Sequence, residues 1–324
     1  MSKLVARAGQ PSWAALQAIA AEHLAAYRYD PFLHYPAPAA TVPHWQQHWH
    51  ARLTALRADA QVDLYASDGA ILATRDSAWD RAHFGFGMAT VQILLAAEGD
   101  AGHRAIARLL PRLKRGLRRR AVRFASIRVH GDQLPALHAL EAAGFRYFDN
   151  VIWPVATLTG PAPPLDARLR LATVADRARL VELAQTSAYP RGHLYCDAGF
   201  AKAAVDAMYG KWLDTAMSEG VPLAVVEHAG RVQGLFQFSV EPVQQPPLGH
   251  RYGHMRLLVL DGAARGLGLG QALFAGAMTL MQQMGASHID SGYSTKNHVS
   301  ARMHARAGFH SVHEEVTLHL WLAP

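Results

Sequence analysis

Two segments half a chain apart end in the same way, and no other feature of the sequence constrains the fold as strongly. Leu137 to Phe145 and Ala301 to Phe309 each read as a helix stopped by a glycine, Gly144 or Gly308, with an aromatic residue opening the next strand. Glycine suits a helix end because it takes the left-handed conformation there without steric cost. The two glycines lie 164 positions apart in a chain of 324 residues. Each segment also comes after a β-like run and a polar loop, Val122 to His130 before the first and Ser287 to Ser294 before the second. An offset of half the chain points to a duplicated α/β unit, which constrains the architecture before any single motif does.

Between the halves, Thr159 to Asp166 holds three prolines and a glycine and can continue neither a helix nor a central strand. The expected organisation is therefore an N-terminal domain over 1–158, a linker over 159–167 and a C-terminal domain over 168–324. After the linker, Leu169 and Leu171 alternate with arginines as a short strand. Thr173, with Asp176 three residues on, starts a helix that runs to about Ser187. Phe200, Ala204, Met208, Trp212 and Ala216 form an apolar row on a second helix. Pro222–Glu227 and Val232–Val240 flank a hairpin turn at His228-Ala229-Gly230, and Tyr252–Leu260 is a further strand. The first half is less legible, with helices expected at Trp13–Tyr27 and Trp45–Leu56 and a hairpin about Ser67-Asp68-Gly69.

Half of the residues are hydrophobic and 18% are charged, enough apolar surface for sizeable cores and too little charge for a disordered chain. No apolar run approaches the ~18 residues of a membrane span, and Met1 to Trp13 lacks the apolar centre of a signal peptide, so a cytoplasmic protein without membrane partners is expected. The single cysteine, Cys196, excludes an intramolecular disulfide, and no His, Cys or carboxylate cluster has metal-ligand spacing; no metal is expected. The net charge of +7 favours acidic partners. Seven cations crowd into the twelve residues Arg112–Arg123, interleaved with leucines at helical spacing. Without an aromatic platform for bases, they read as the solvated face of an amphipathic helix, and nucleic acid is not an expected partner.

The stretch that carries chemistry is Met255 to Leu273, where an apolar strand enters a turn with glycines at 266, 268 and 270 and leaves it as a helix. Small residues let main-chain N–H groups crowd toward one point, and the helix dipole adds positive charge, so the turn fits a pyrophosphate. Its final glycine spacing is wrong for a dinucleotide fold, and the Gly-Lys-Ser or Gly-Lys-Thr of a nucleotide-triphosphatase loop does not occur after it.

Arg265-x-x-Gly268-x-Gly270 between strand and helix, with Asn297 and the Ala307-Gly308-Phe309 helix end downstream, resembles the GCN5-related N-acetyltransferases over about 160 residues. The resemblance implies tandem domains of an α/β (α+β) class, each a mixed, mostly antiparallel sheet flanked by helices, with the first degenerate. It implies acetyl-CoA as co-substrate and a small-molecule primary amine as acceptor. By the same resemblance Arg265, Gly266, Gly268 and Gly270 hold the pyrophosphate, Leu258, Val259 and Leu260 offer main-chain groups to the pantetheine arm, and Asn297 contacts that arm. Trp79 to Gly85, and Arg191 to Tyr195 running on toward Tyr209 and Trp212, resemble the members that acetylate nucleotide-linked amino sugars, which also have a shortened, cofactor-less first half. Nothing like the glycine loop lies between Glu98 and Leu110, so one active site is expected.

Acyl transfer to an amine needs an oxyanion donor, a route for the amine proton and a proton for the departing thiolate. A main-chain N–H near Leu258 or Val259 is the expected oxyanion donor. The family places a tyrosine four residues before the glycine of its Gly-Phe; this sequence has His304, which would donate as an imidazolium. His254 is the favoured base, with Tyr252 and Asp290 nearby on strands. Arg191, His193, Tyr195 and Trp212 offer a cation, hydrogen-bond donors and aromatic area for a phosphorylated or sugar acceptor. The missing tyrosine keeps a second reading open, a non-catalytic acyl-CoA sensor. Oligomeric state is not encoded legibly.

Overall fold

The computed structural model describes residues 12–24, 50–97, 99–241 and 250–323. Most of Met1–Trp13, read as lacking a signal peptide, and the first five residues of the helix expected at Trp45–Leu56 lie outside them. Asn150–His313 form one compact unit; the residues up to Asp149 form the other together with Glu314–Pro324.

The first unit runs α1 (Trp13–Leu24), α2 (50–58), β1 (Val62–Ser67), β2 (Ala70–Asp76), α3 (Ala78–Phe84), β3 (Gly87–Ala96), α4 (Gly99–Arg119), β4 (Val122–His130), α5 (Leu134–Ala142) and the start of β5 (Arg146–Thr157). β1 and β2 join through Asp68-Gly69 as expected, and Gly69 has the positive φ (80°) that such a turn requires. β2 and β3 are antiparallel, β3 and β4 parallel. Leu109, Leu113 and Leu117 of α4 pack with Ala139 and Leu140 of α5 on one face of this sheet, and Leu16 and Leu53 pack with Ile71 and Leu95 on the other.

The second unit contains β6 (Leu169–Leu171), α6 (Arg177–Ser187), α7 (Lys202–Ser218), β7 (Leu223–His228), β8 (Arg231–Val240), β9 (Tyr252–Leu260), α8 (Leu269–Gln283), β10 (His288–Asp290), β11 (Tyr293–Ser294), α9 (His298–Arg306) and the start of β12 (His310–Trp321). Its β7–β8–β9–α8–β10–α9–β12 repeats the first half's β1–β2–β3–α4–β4–α5–β5 in order, which is the duplication the two glycines announce. Gly144 and Gly308 have φ of 89° and 81°. At both helix ends the aromatic N–H reaches back to the same turn, Phe145 to the Leu140 carbonyl and Phe309 to the His304 carbonyl, each at 3.0 Å. Leu140 and His304 are thus equivalent positions.

The compact units do not divide at the proline-rich segment, because each sheet is completed by a strand from the other half of the chain. β4 pairs antiparallel with 315–321 of β12, and β10 pairs antiparallel with 155–157 of β5. Both units therefore have a mixed, mostly antiparallel sheet with helices on each face. Thr173 and Asp176, read from the sequence as a helix start, form a capping box. The apolar row foreseen on α7 is corrected: Val205, Leu213 and Ala216 are buried, whereas Trp212 is 38% exposed. Positions four apart advance about 400° on a 3.6-residue helix, so the row drifts off the core within a few steps.

The basic tract forms the outer edge of α4 and the turn leading into β4. Arg115, Arg118 and Arg119 are exposed, while Arg112 donates to the Ala66 carbonyl (2.8 Å) and Arg120 pairs with Asp63 and Asp76 (3.2 and 3.0 Å). Among the described residues no helix is long and apolar enough to cross a membrane, and no group of three or more His, Cys, Asp or Glu side chains is gathered for a metal.

Candidate active site

β9 places the glycine loop. It pairs antiparallel with β8 through Leu260, and parallel with β10 only through Tyr252, Gly253 and His254, opposite His288, Ile289 and Asp290. Past that point the β10-facing edge of β9 pairs with no strand among the described residues, because the chain after β10 turns to pair with β5 through Tyr293 and Ser294. The sheet splays open there. Along the β8 edge, Phe238 faces Met255 and Gln237 faces Leu257, so Arg256 is the extra residue of a bulge just inside the opening. Leu258, Val259 and Leu260 come after it on the splayed limb.

At the end of β9, Asp261 accepts from the Ala263 N–H (2.9 Å) and is held by the Arg179 guanidinium, itself bonded to the Val232 carbonyl (3.1 Å). The Ala263 N–H, and then Arg179, keep the Asp261 carboxyl below its ordinary pKa. Arg179 lies 82 residues before Asp261, and nothing local in the sequence signals the pair. Arg265 is next, in extended conformation, then Gly266 and Gly268 with φ of 83° and 73°, and α8 begins at Leu269. A side chain added at Gly266 or Gly268 would meet open space, so these glycines are required by backbone conformation and by an uncovered surface above them. The N–H groups of Gly266 through Gln271 donate to no main-chain carbonyl among the described residues. They lie at the positive end of a fifteen-residue helix beside Arg265, a set of donors suited to an anion.

At the mouth of the splay, His254 is clamped between carboxylates. One ring nitrogen, Nδ1, lies 2.8 Å from Asp290 Oδ1 and the other, Nε2, 3.0 Å from Glu241 Oε1. Burial opposes the charge of the ring, but the two carboxylates outweigh it and raise the His254 pKa. With both nitrogens donating, His254 is not a vacant base by itself; the three residues make one proton-holding network. Glu241 lies just beyond the end of β8, and its part in this network is one that sequence reasoning missed.

His304 is placed differently from the expectation that it donates a proton as an imidazolium. Its side chain is 4% exposed, ringed by Phe274 (4.8 Å), Tyr293 (4.8 Å) and Phe309 (5.0 Å). Nδ1 donates to the Ser300 carbonyl at 2.8 Å, and the buried Nε2 has no partner. Burial pushes its pKa down to about 4. At neutral pH the ring is neutral, its one proton is committed to the main chain, and its remaining nitrogen accepts. Asn297 caps α9, its Oδ1 receiving the Ser300 N–H at 3.1 Å, which leaves the amide NH2 for other work.

The residues expected at the acceptor face are partly brought together. The Tyr195 ring stacks on Tyr209 (5.9 Å), which meets Trp212 edge-on (6.4 Å). The Tyr195 hydroxyl donates to Asp206 (2.8 Å), and burial together with that bond raises its pKa, so it serves packing and not donation to a ligand. Arg191 is exposed and His193 half-buried on the same segment. That segment reaches the turn before α9, where Lys296 Nζ lies 3.9 Å from Cys196 Sγ, one residue before Asn297.

Residues 184–309 match the model of the acetyltransferase (GNAT) family. A GCN5-related N-acetyltransferase from Sphaerobacter thermophilus is similar over 97% of this chain and 95% of its own, at 17% identity and a TM-score of 0.60. A tandem GNAT protein from the clavulanic acid biosynthesis pathway is similar over 96% and 95%, at 17% identity and a TM-score of 0.54. A GCN5-related N-acetyltransferase from Kribbella flavida is similar over 88% and 96%, at 11% identity and a TM-score of 0.51. These likenesses are of fold. A search of curated proteins finds no match.

Proposed function

We propose that the chain is an N-acetyltransferase that moves an acetyl group from acetyl-CoA to a primary amine of a small molecule. The observation that carries the reading is the anion-binding turn at the end of a strand that splays from its parallel neighbour. Arg265 and the N–H groups around Gly266, Gly268 and Gly270 would bind the pyrophosphate, and the unpaired main-chain edge of Leu258, Val259 and Leu260 would receive the amide-bearing arm, with the Asn297 amide beside it. The bulge at Arg256 interrupts the β8 ladder just inside the opening, and a main-chain N–H near Leu258 or Val259 would stabilise the oxyanion that develops when the amine attacks the thioester carbonyl. The proton leaving the amine passes to the Glu241–His254–Asp290 network, in which His254 relays between carboxylates.

The acceptor we favour is an amino-sugar nucleotide. Arg191 and His193 on the segment facing the α9 turn offer charge-assisted bonds to a phosphate, Trp212 offers an exposed ring, and the resemblance to dTDP-fucosamine acetyltransferase rests on the same tract. A thiol-release assay with acetyl-CoA over a panel of amines, amino-sugar nucleotides included, tests both levels. Release with a nucleotide-linked amine supports the full reading; release with other amines alone supports only the transferase. Tight acetyl-CoA binding without release from any amine would favour a non-catalytic sensor.

A further inference from the structure

We propose that Tyr293, on the far limb of the splay, donates the proton to the departing thiolate, a role that the helix position of His304 would otherwise hold. The inference rests on the acetyltransferase reading above. It begins from His304, which has no proton to give: Nδ1–H is spent on the Ser300 carbonyl and Nε2 is bare. The equivalent position in the first unit is Leu140, fully buried, so this place in the repeat serves packing where no glycine loop exists. The side chain set against the His304 ring is Tyr293, with centroids 4.8 Å apart and planes 35° apart. It is half-buried, and among the described residues its hydroxyl makes no hydrogen bond, unlike that of Tyr195, which is spent on Asp206.

Backbone register supplies an independent argument. The two limbs part after the His254–Asp290 pair. Three residues further along each limb stand Leu257 and Tyr293, so Tyr293 is level with the bulge that begins at Arg256. The bulged stretch of β9 and Tyr293 thus stand at one depth on opposite limbs, the depth at which a thioester carbonyl and its sulfur would need an oxyanion donor and an acid. In the step, the amine nitrogen bonds to the carbonyl carbon. The tetrahedral adduct collapses, the C–S bond breaks with its electron pair on sulfur, and sulfur takes the Tyr293 hydroxyl proton to leave as a thiol. The phenolate regains a proton from water, and the amine's surplus proton leaves through the Glu241–His254–Asp290 network, so the sum is amine plus thioester to amide plus thiol.

The test uses the full chain with Tyr293→Phe and with 3-fluorotyrosine at 293. Tyr293→Phe should lower kcat by roughly 10²-fold, the lower end of general-acid contributions, with the acetyl-CoA Kd by calorimetry changed less than about twofold. A binding readout is separate from turnover. The wild-type chain should bind CoA about fivefold more tightly than desulfo-CoA, the worth of one hydrogen bond, and Tyr293→Phe should bind the two alike. Fluorination acidifies a phenol, so the fluorotyrosine protein, nearly isosteric and free of folding effects, should lose activity at lower pH on the alkaline side. A Phe variant with unchanged kcat, a preference for CoA that survives the substitution, or an unmoved alkaline limb overturns the assignment. A wild-type chain that releases no thiol overturns the acetyltransferase reading and this one with it; release undiminished in the Phe variant overturns this one alone.

Discussion

His304 shows how one side chain's surroundings decide its chemistry. A histidine titrates near ~6.5 in water, but this one, enclosed by three aromatic rings, is held to about 4. Because its folded pKa is depressed, the unfolded chain binds the extra proton between those values. The stability it permits is therefore complete above about 6.5 and lost as pH falls toward 4. Between about pH 7 and pH 5 the loss amounts to about 2 kcal/mol from this residue. His304→Leu, which installs the residue found at position 140, should remove that part of the acid sensitivity, read from urea unfolding at the two pH values. His254 has the opposite sign. Its pKa is raised, so what the clamp contributes is full below about 6.5 and fades as pH rises through the folded value. The difference in unfolding midpoint between wild type and His254→Gln should accordingly be larger at about pH 6 than at about pH 9; a constant difference would show that the carboxylates do not hold the ring charged.

The loop between β9 and α8 owes its form to a conformational requirement and an anchor. At Gly268 a side chain has room but the positive φ disfavours it by about 1–2 kcal/mol, so Gly268→Val should fold with modest loss and bind acetyl-CoA at least about tenfold more weakly by calorimetry. Undiminished affinity would remove the loop from the cofactor site. The anchor is Arg179 on α6, whose bond to Asp261 fixes the first turn of the loop. Arg179→Met should lower stability by about 1–3 kcal/mol and weaken acetyl-CoA binding while leaving the acceptor KM unchanged. In the first unit the corresponding stretch contains no loop of this kind: α4 begins at Gly99, soon after β3 ends at Ala96, and its opening turns occupy the sequence positions that the glycines hold in the second. The expected stoichiometry is thus one acetyl-CoA per chain, and calorimetry returning two would contradict it.

For the molecule as a whole, exchange of the terminal strands between halves matters most. A fragment beginning at residue 159 would lack 150–157, the partners of both β10 and β11, and would carry 315–321 without the strand β4 on which they pair. Unpaired strand edges aggregate, so this fragment should be insoluble or unfolded by circular dichroism despite containing the whole glycine loop. A soluble, fully active fragment would show that the exchange is dispensable. The long-range ladders also explain why a linker rich in proline does not mark the limit of a compact unit: proline stops local structure, but it does not decide which strand a distant edge accepts.

The sequence by itself determined what depends on neighbours along the chain. The helix-ending glycines, the hairpin turns at Asp68-Gly69 and Ala229-Gly230, the span of β9 and the run from Arg265 into α8 arise from residue conformational preference and apolar period, and they were legible for that reason. So was the repeat, since both halves use the same local punctuation. Tertiary structure alone decided the pairing of Arg179 with Asp261, the clamp of Glu241 and Asp290 on His254, the strand exchange, and the burial that leaves His304 neutral with Tyr293 beside it. Each of these joins residues far apart in sequence or depends on how much water a fold excludes from a ring. Dielectric surroundings and long-range register are properties of the packed chain, and no single stretch of residues carries them.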